Sequence, residues 1–260
     1  MKRYELEKEN VATLLRKAKG KIALTTDMWT TYNQRKGYMV VTSHFIDNTW
    51  KLQSRIIRFL YVIAPHIAEV LADALKESIQ SWNLDLRLSS ITVDNCSTND
   101  AMMEILKGVF PYSSLLSRGR ISELLRRLVE EYGSKIGKTQ DKDPSHEISE
   151  LDKYLDAANV LLVQDFDILN WWKTNGGTYP ILQQIARDIL SIPISTIASE
   201  SASSTSGQVL NPYRSRLLPE AVEALMCTQN WIWATIKDCG EFKDDEYAKL
   251  VGELEEEVET

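Results

Sequence analysis

Hydrophobic and polar residues repeat with two different periods along the first third of the chain. Residues 4–18 follow the helical period and end in a basic cluster before Gly20, which predicts a helix with that glycine as its stop. Residues 21–30 predict a strand, and two longer runs rich in Val, Ile and Phe predict strands over 38–47 and 52–62. The sequence therefore predicts one helix followed by three strands.

The next segment returns to the helical period and then to a strand. Apolar residues recur at helical spacing from Ile67 to Trp82, residues 89–94 predict a fourth strand, and Asp100 to Leu106 begins another helix. A helical crossover can return the fourth strand parallel to the first and beside it. This order is that of the first half of a ribonuclease-H-like fold, so the predicted class is α/β, a mixed sheet with flanking helices.

The second half of the chain is predicted to be helical. A polar linker over 137–144 follows one amphipathic helix predicted over 121–132, and helical patterns resume after Ser149. Pro219 opens a long helix, because proline is favoured in a first helical turn. Four tryptophans crowd this half, and they suit either a core or an interface: Trp171, Trp172, Trp231 and Trp233.

Composition sets limits on the kind of protein. The chain has 260 residues, 43% of them hydrophobic and 26% charged, which is ordinary for a globular protein, and no apolar run long enough to span a membrane. Its three cysteines are scattered, which excludes a Cys-x-x-Cys zinc motif and indicates a reducing compartment. Residues 238–260 hold ten acids and two lysines, whereas the net charge of the whole chain is −7. Residues 1–237 are therefore nearly neutral, so the net charge does not indicate binding to nucleic acid.

Three acidic residues stand out by their surroundings. Asp27 and Asp94 end apolar, strand-like runs, and Glu200 lies within a run of small hydroxyl residues over 197–210. Two strand-end aspartates and a later glutamate are what a ribonuclease-H-like metal site needs. With 37 acids in the chain a trio is easily found, and the pattern alone does not decide between a site and a coincidence.

Several longer blocks carry a resemblance to a known family. Residues 21–30 and 37–47 resemble its first catalytic block, and residues 91–100 resemble its second. Residues 165–173 open a region that continues to Leu225 and resembles its C-terminal dimerisation region. On these blocks the chain resembles the hAT superfamily of DNA transposases, in the plant RICESLEEPER-like, zinc finger BED domain-containing branch.

The resemblance implies a chemistry and partners. Asp27, Asp94 and Glu200 match the acidic triad of the family, which implies catalytic carboxylates that hold Mg²⁺ or Mn²⁺, without zinc, for phosphoryl transfer on DNA. It also implies a nuclear protein that binds DNA, pairs with a second copy through residues 150–237, and has no membrane partner.

The chain departs from the family pattern in the third block and in length. Ser203, Ser206 and Gln208 replace a usual aromatic, glycine and arginine, and only 106 positions separate Asp94 from Glu200. The long helical insertion is therefore expected to be largely missing, and the sequence shows no BED zinc finger. The chain resembles an internally deleted, N-terminally truncated relative.

These observations define the predicted organisation. We expect the N-terminal half of a reduced ribonuclease-H-like domain over 1–110, a remnant insertion and linker over 111–149, the dimerisation region over 150–237, and an acidic tail over 238–260.

Three functions remain open at this stage. The departures favour a transposase-derived protein that binds DNA and dimerises with catalysis lost. The intact triad favours a working metal-dependent transposase or nuclease, and a degenerate transposon product without selected function is the third reading.

The sequence also makes structural predictions. Asp27 and Asp94 should lie on adjacent parallel strands, and Glu200 should be the most displaced of the three acids. Trp231 or Trp233 should lie near the centre of a dimer interface.

Overall fold

A computed structural model describes residues 1–30, 37–110, 150–157, 165–197, 217–239 and 252 of the chain. These residues form seven helices and four strands. In chain order the elements are α1 (Lys2–Lys17), β1 (Ile22–Thr30), β2 (Gly37–Ile46), β3 (Leu52–Val62), α2 (Ala68–Ser81), β4 (Leu88–Thr92), α3 (Ser97–Val109), α4 (Glu150–Asp156), α5 (Ile168–Asn175), α6 (Pro180–Leu190) and α7 (Pro219–Cys239). The helix predicted over 121–132 lies outside the described residues.

The four strands form one mixed sheet with the order β3-β2-β1-β4. β1 pairs with β2, and β2 with β3, in antiparallel fashion, whereas β1 and β4 are parallel. Every residue of β2 is buried, as expected for an inner strand. The Asp47 carboxylate accepts hydrogen bonds from the backbone amides of Thr49 and Lys51 and closes the turn between β2 and β3. The predicted meander, crossover helix and parallel fourth strand are confirmed.

The main core lies between the sheet and helices from both halves of the chain. α2 returns the chain from β3 to β4 and buries Leu71, Leu75 and Ile79. α7 joins the same core through residues such as Val222 and Leu225. The C-terminal helix is therefore packed directly on the N-terminal sheet.

Trp231 of α7 is part of this core, which corrects its predicted place in a dimer interface. Its side chain is 1% exposed, stacks on Tyr4 at 5.6 Å between ring centroids, and meets Trp82 edge-on at 6.2 Å. The indole Nε1 donates a 2.6 Å hydrogen bond to the Ile56 carbonyl of β3. A side chain this enclosed stabilises the fold of its own chain.

Two ion pairs fix α7 against β3. Arg58 Nε lies 2.6 Å from Glu223 Oε1, and Arg55 Nη2 lies 2.8 Å from Asp238 Oδ2. The Arg58–Glu223 pair is largely buried on both sides, so it fixes the position of the helix more firmly than an exposed pair would.

A second, smaller cluster joins α4, α5 and α6 to the turn between β2 and β3. Its buried members from this part of the chain are Ile46, the last residue of β2, and Trp50 in the turn that follows. The buried members from the helices are Leu151, Trp172, Leu182, Ile185 and Ala186.

Polar contacts anchor α6 to the N-terminal part of the chain. The Arg187 guanidinium donates to the carbonyls of Ile46 and Asp47 and lies 4.1 Å from the Trp50 ring centroid. Asp188 Oδ1 accepts a 2.7 Å hydrogen bond from the Lys21 amide. The two half-chains are therefore joined by directional contacts as well as by apolar packing.

Gly20 has a different role from the predicted helix stop. α1 ends with Ala18 as its C-cap, in an extended conformation. A Cβ atom at Gly20 would lie 2.9 Å from both Arg187 Cγ and Asp188 Oδ1. The glycine is required because α6 approaches the backbone too closely for a side chain.

Candidate active site

Asp27 lies near the end of β1, the strand inside the sheet that pairs with both β2 and β4. Its backbone partner across the antiparallel ladder is Val40 of β2. The side chain is half-buried, and it shares a face with Thr25 because residues two apart on a strand point the same way. Strand pairing therefore fixes the backbone that carries this carboxylate.

Asp94 lies at the same edge of the sheet, two residues beyond the end of β4. Thr25 of β1 is paired with Thr92 of β4 in the parallel ladder. Asp27 follows Thr25 by two residues, and Asp94 follows Thr92 by two residues. The two acids are therefore the same number of residues beyond the last pair of the parallel ladder. β1 and β4 are adjacent and parallel, as predicted, and both acids lie towards the same edge of the sheet, but Asp94 follows the end of β4 and is not on the strand as predicted.

Asn99 holds Asp94 in place, a contact that the sequence patterns did not indicate. The Asn99 side chain is 7% exposed in the first turn of α3, and its amide nitrogen donates to Asp94 Oδ1. The same nitrogen lies 3.4 Å from the Asp94 carbonyl oxygen. A polar residue five positions after a strand-end acid, early in a helix, was the available signal.

A contact from the C-terminal half also reaches this edge. Thr92 Oγ1 donates a 3.1 Å hydrogen bond to the Pro193 carbonyl, just after α6. Pro193 precedes Glu200 by seven residues. Glu200 itself lies outside the described residues, so the triad and the displacement of Glu200 stay predictions.

The donor set at this edge suits a hard divalent cation. Carboxylate oxygens are the ligands that Mg²⁺ and Mn²⁺ prefer. Within the part of the chain that the structure describes, no group of three or more His, Cys, Asp or Glu residues is placed to hold a metal. A site formed around Asp27 and Asp94 would therefore need a further ligand from outside the described residues.

A buried polar pair links β1 and β2 two residues before Asp27 along β1. Thr25 Oγ1 and His44 Nε2 are 3.0 Å apart and hydrogen bonded, and both residues are buried. Burial lowers the pKa of His44 to about 4, because the imidazolium form would lose its hydration. His44 is therefore neutral near pH 7.

Comparison with known proteins agrees with this architecture. Residues 150–232 match the hAT family C-terminal dimerisation region, and residues 25–121 match the ZBED1 RNase-like domain. The chain therefore combines an RNase-like domain with a hAT dimerisation region and is a hAT-type transposase-like protein.

Curated relatives match over a limited stretch. The chain is 48% identical to a putative AC transposase of Zea mays over 109 residues, which is 42% of this chain and 13% of that protein. It is 48% identical to the zinc finger BED domain-containing protein RICESLEEPER 3 of Oryza sativa subsp. japonica over 89 residues, and 46% identical to DAYSLEEPER of Arabidopsis thaliana over 84 residues. These two matches cover 33% and 32% of this chain, and each spans 12% of the relative's own length.

Among the described residues, no helix combines the length and apolar character that a membrane span requires.

Proposed function

We propose that the chain is a transposase-derived nuclear protein that binds DNA, pairs with a second copy through its C-terminal region and no longer cuts DNA. Self-association is supported by the hAT dimerisation region over 150–232. DNA binding and a nuclear location are supported by the transposase and zinc finger BED names of the relatives.

We also propose that Asp27 and Asp94 still bind a divalent cation. The observation that carries this proposal is the parallel pairing of Thr25 with Thr92, which carries both acids to one edge of the sheet. When bound, Mg²⁺ or Mn²⁺ would stabilise charge on a scissile phosphate and activate the attacking oxygen. The aspartates would hold the cation. The departures around Glu200 at Ser203, Ser206 and Gln208 would weaken the third carboxylate ligand of the site.

Active cleavage is the second candidate function. The Thr92–Pro193 hydrogen bond favours it, because this contact holds the chain near Asp94 seven residues before Glu200. Seven residues can span at most about 24 Å, which leaves Glu200 within reach of the aspartates. Cleavage would then require Glu200 to approach this edge and join the aspartates in holding the cation.

A plasmid assay separates the two candidates. The full chain is incubated with supercoiled plasmid and Mn²⁺, beside Asp94→Asn and Asp27→Asn variants that keep the fold. We expect equal, background nicking from all three proteins. Nicking by the unaltered chain that either substitution abolishes would establish the active enzyme instead.

DNA binding needs its own measurement. Fluorescence anisotropy with a labelled duplex, at two salt concentrations, should show binding that weakens as salt rises, because phosphate contacts release counterions. The Asp94→Asn variant should bind the duplex as well as the unaltered chain does. Anisotropy that stays flat at low salt would overturn the DNA-binding proposal.

A further inference from the structure

The two aspartates at the candidate site are held by different means. Asp27 belongs to β1, and its backbone is paired with Val40. β4 ends at Thr92, so Asp94 lies beyond the ladder, in the segment between β4 and α3, and its side chain is exposed. An exposed carboxylate on a connecting segment samples several rotamers unless another group fixes it.

Asn99 supplies that group. Its side chain is buried, so packing in the first turn of α3 sets its direction. From there its amide donates to Asp94 Oδ1 and approaches the Asp94 carbonyl oxygen at 3.4 Å, which ties both the side chain and the backbone of the acid. The Cys96 amide donates a 3.0 Å hydrogen bond to the same carbonyl and reinforces this turn.

We infer that Asn99 is a positioning residue for a cation bound at Asp94, an inference that rests on the proposed metal site. A neutral amide donor occupies one carboxylate oxygen without bringing a positive charge that would compete with the cation. Oδ2 of Asp94 is left as the metal-ligand oxygen. Because the carboxylate is already ordered before the cation arrives, binding does not have to order it.

The inference is distinct from a role in holding the loop. If Asn99 only stabilised the segment between β4 and α3, its loss would lower the melting temperature of the metal-free protein and leave cation affinity unchanged. If it positions Asp94, its loss lowers cation affinity, while the exposed Asp94 carboxylate is simply rehydrated in the metal-free protein. Affinity and metal-free stability therefore separate the two roles.

The test is a titration of the full chain with Mn²⁺ alone, in which the electron paramagnetic resonance signal of free Mn²⁺ reports the unbound fraction. Asn99→Leu keeps the size of the side chain and removes the donor. Asn95→Leu is the matched control, because Asn95 is an exposed asparagine on the same connecting segment. The Asp27→Asn/Asp94→Asn double variant measures the background binding to acids elsewhere, such as those of 238–260.

We expect Asn99→Leu to weaken site-specific Mn²⁺ binding about tenfold, the lower end of the effect of losing a group that orients a metal ligand. Asn95→Leu should bind as the unaltered chain does, and the melting temperature in EDTA should be unchanged for both. If Asn99→Leu does not fold, Asn99→Ser replaces it, because serine is too short to reach Asp94 and should give the same loss.

The outcomes distinguish the positioning role of Asn99 from the proposed metal site on which it rests. Unchanged Mn²⁺ affinity in the folded Asn99 variant, with a loss in the aspartate double variant, would overturn the positioning role and leave the metal site standing. Equal affinity in the double variant and the unaltered chain would remove the metal site itself, and the role of Asn99 with it.

Discussion

At the scale of single residues, one buried histidine makes the stability of the fold depend on pH. His44 and Thr25 form a hydrogen-bonded pair within the sheet, and burial lowers the pKa of the imidazole to about 4. In the unfolded chain a histidine titrates near pH 6.5. The folded state therefore stays neutral at His44 over a range in which the unfolded state takes up a proton.

This difference predicts a pH-dependent stability. As the pH falls from about 6.5 towards 4, protons bind preferentially to the unfolded state, and the free energy of unfolding should fall by up to about 1.4 kcal/mol per pH unit from this group. His44→Gln should remove that part of the slope. Urea unfolding between pH 4.5 and 7 measures it.

The matched control is His66→Gln, which leaves His44 in place and should keep the slope. Other groups also titrate in this range, so the comparison between variants carries the argument. Equal slopes in the unaltered chain and in His44→Gln would show that His44 is not the group responsible.

At the scale of elements, α7 connects the two halves of the chain by packing on the sheet and by two ion pairs with β3. Trp231 is buried against Tyr4 of α1, Trp82 at the end of α2 and Ile56 of β3. The Arg58–Glu223 ion pair joins the same helix to β3. Trp233, two residues further on, is 49% exposed. Two tryptophans on one helix therefore face different environments.

Substitutions at the two positions should differ in stability. Trp231→Ala removes the ring contacts with Tyr4 and Trp82 and the hydrogen bond to Ile56, and should lower the free energy of unfolding by about 3–5 kcal/mol. Trp233→Ala should lower it by less than about 1 kcal/mol. Urea unfolding followed by circular dichroism gives both values, and equal losses would contradict the placement of Trp231 in the core.

At the scale of the whole molecule, apolar side chains remain exposed in the C-terminal half. Within the described residues, Ile197 is 65% exposed, Leu218 is 70% exposed and Trp233 is half exposed. Ile197 and Leu218 lie in the region 150–232 that matches the dimerisation region, and Trp233 directly follows its last residue. Exposed apolar groups in and beside such a region are suited to contacts with a second copy. Trp231, being enclosed, is not available for such a contact.

Self-association should therefore depend on Trp233. Sedimentation velocity over a concentration series should show a dimer that Trp233→Ala shifts towards monomer without unfolding the protein. Leu86→Ala is the matched control, because Leu86 is 87% exposed but lies in the N-terminal half of the chain, far along the sequence from the matched region 150–232. A folded monomer at every concentration would end the proposal of a homodimer.

The sequence predicted the local structure well because periodicity reports which face of an element is buried. Strand and helix bounds agree closely: β3 was predicted over 52–62 and is observed over Leu52–Val62, and Pro219 begins α7 as predicted. The fourth strand was predicted to reach Asp94 but ends at Thr92. The same patterns indicate the two aspartates, and topology rules predict that the first and fourth strands are neighbouring and parallel, which the structure confirms.

Only the tertiary structure decided which buried surfaces meet. Periodicity marks Trp231 as facing something apolar, but the partner could be a second copy or, as the structure has it, Tyr4 and Trp82. The close approach of α6 that requires Gly20, and the hydrogen bond from Asn99 to Asp94, likewise depend on the placement of elements in space. The sequence by itself determined the elements and the two aspartates, because those follow from local spacing. Their partners and supports follow from packing between segments that spacing along the chain does not encode.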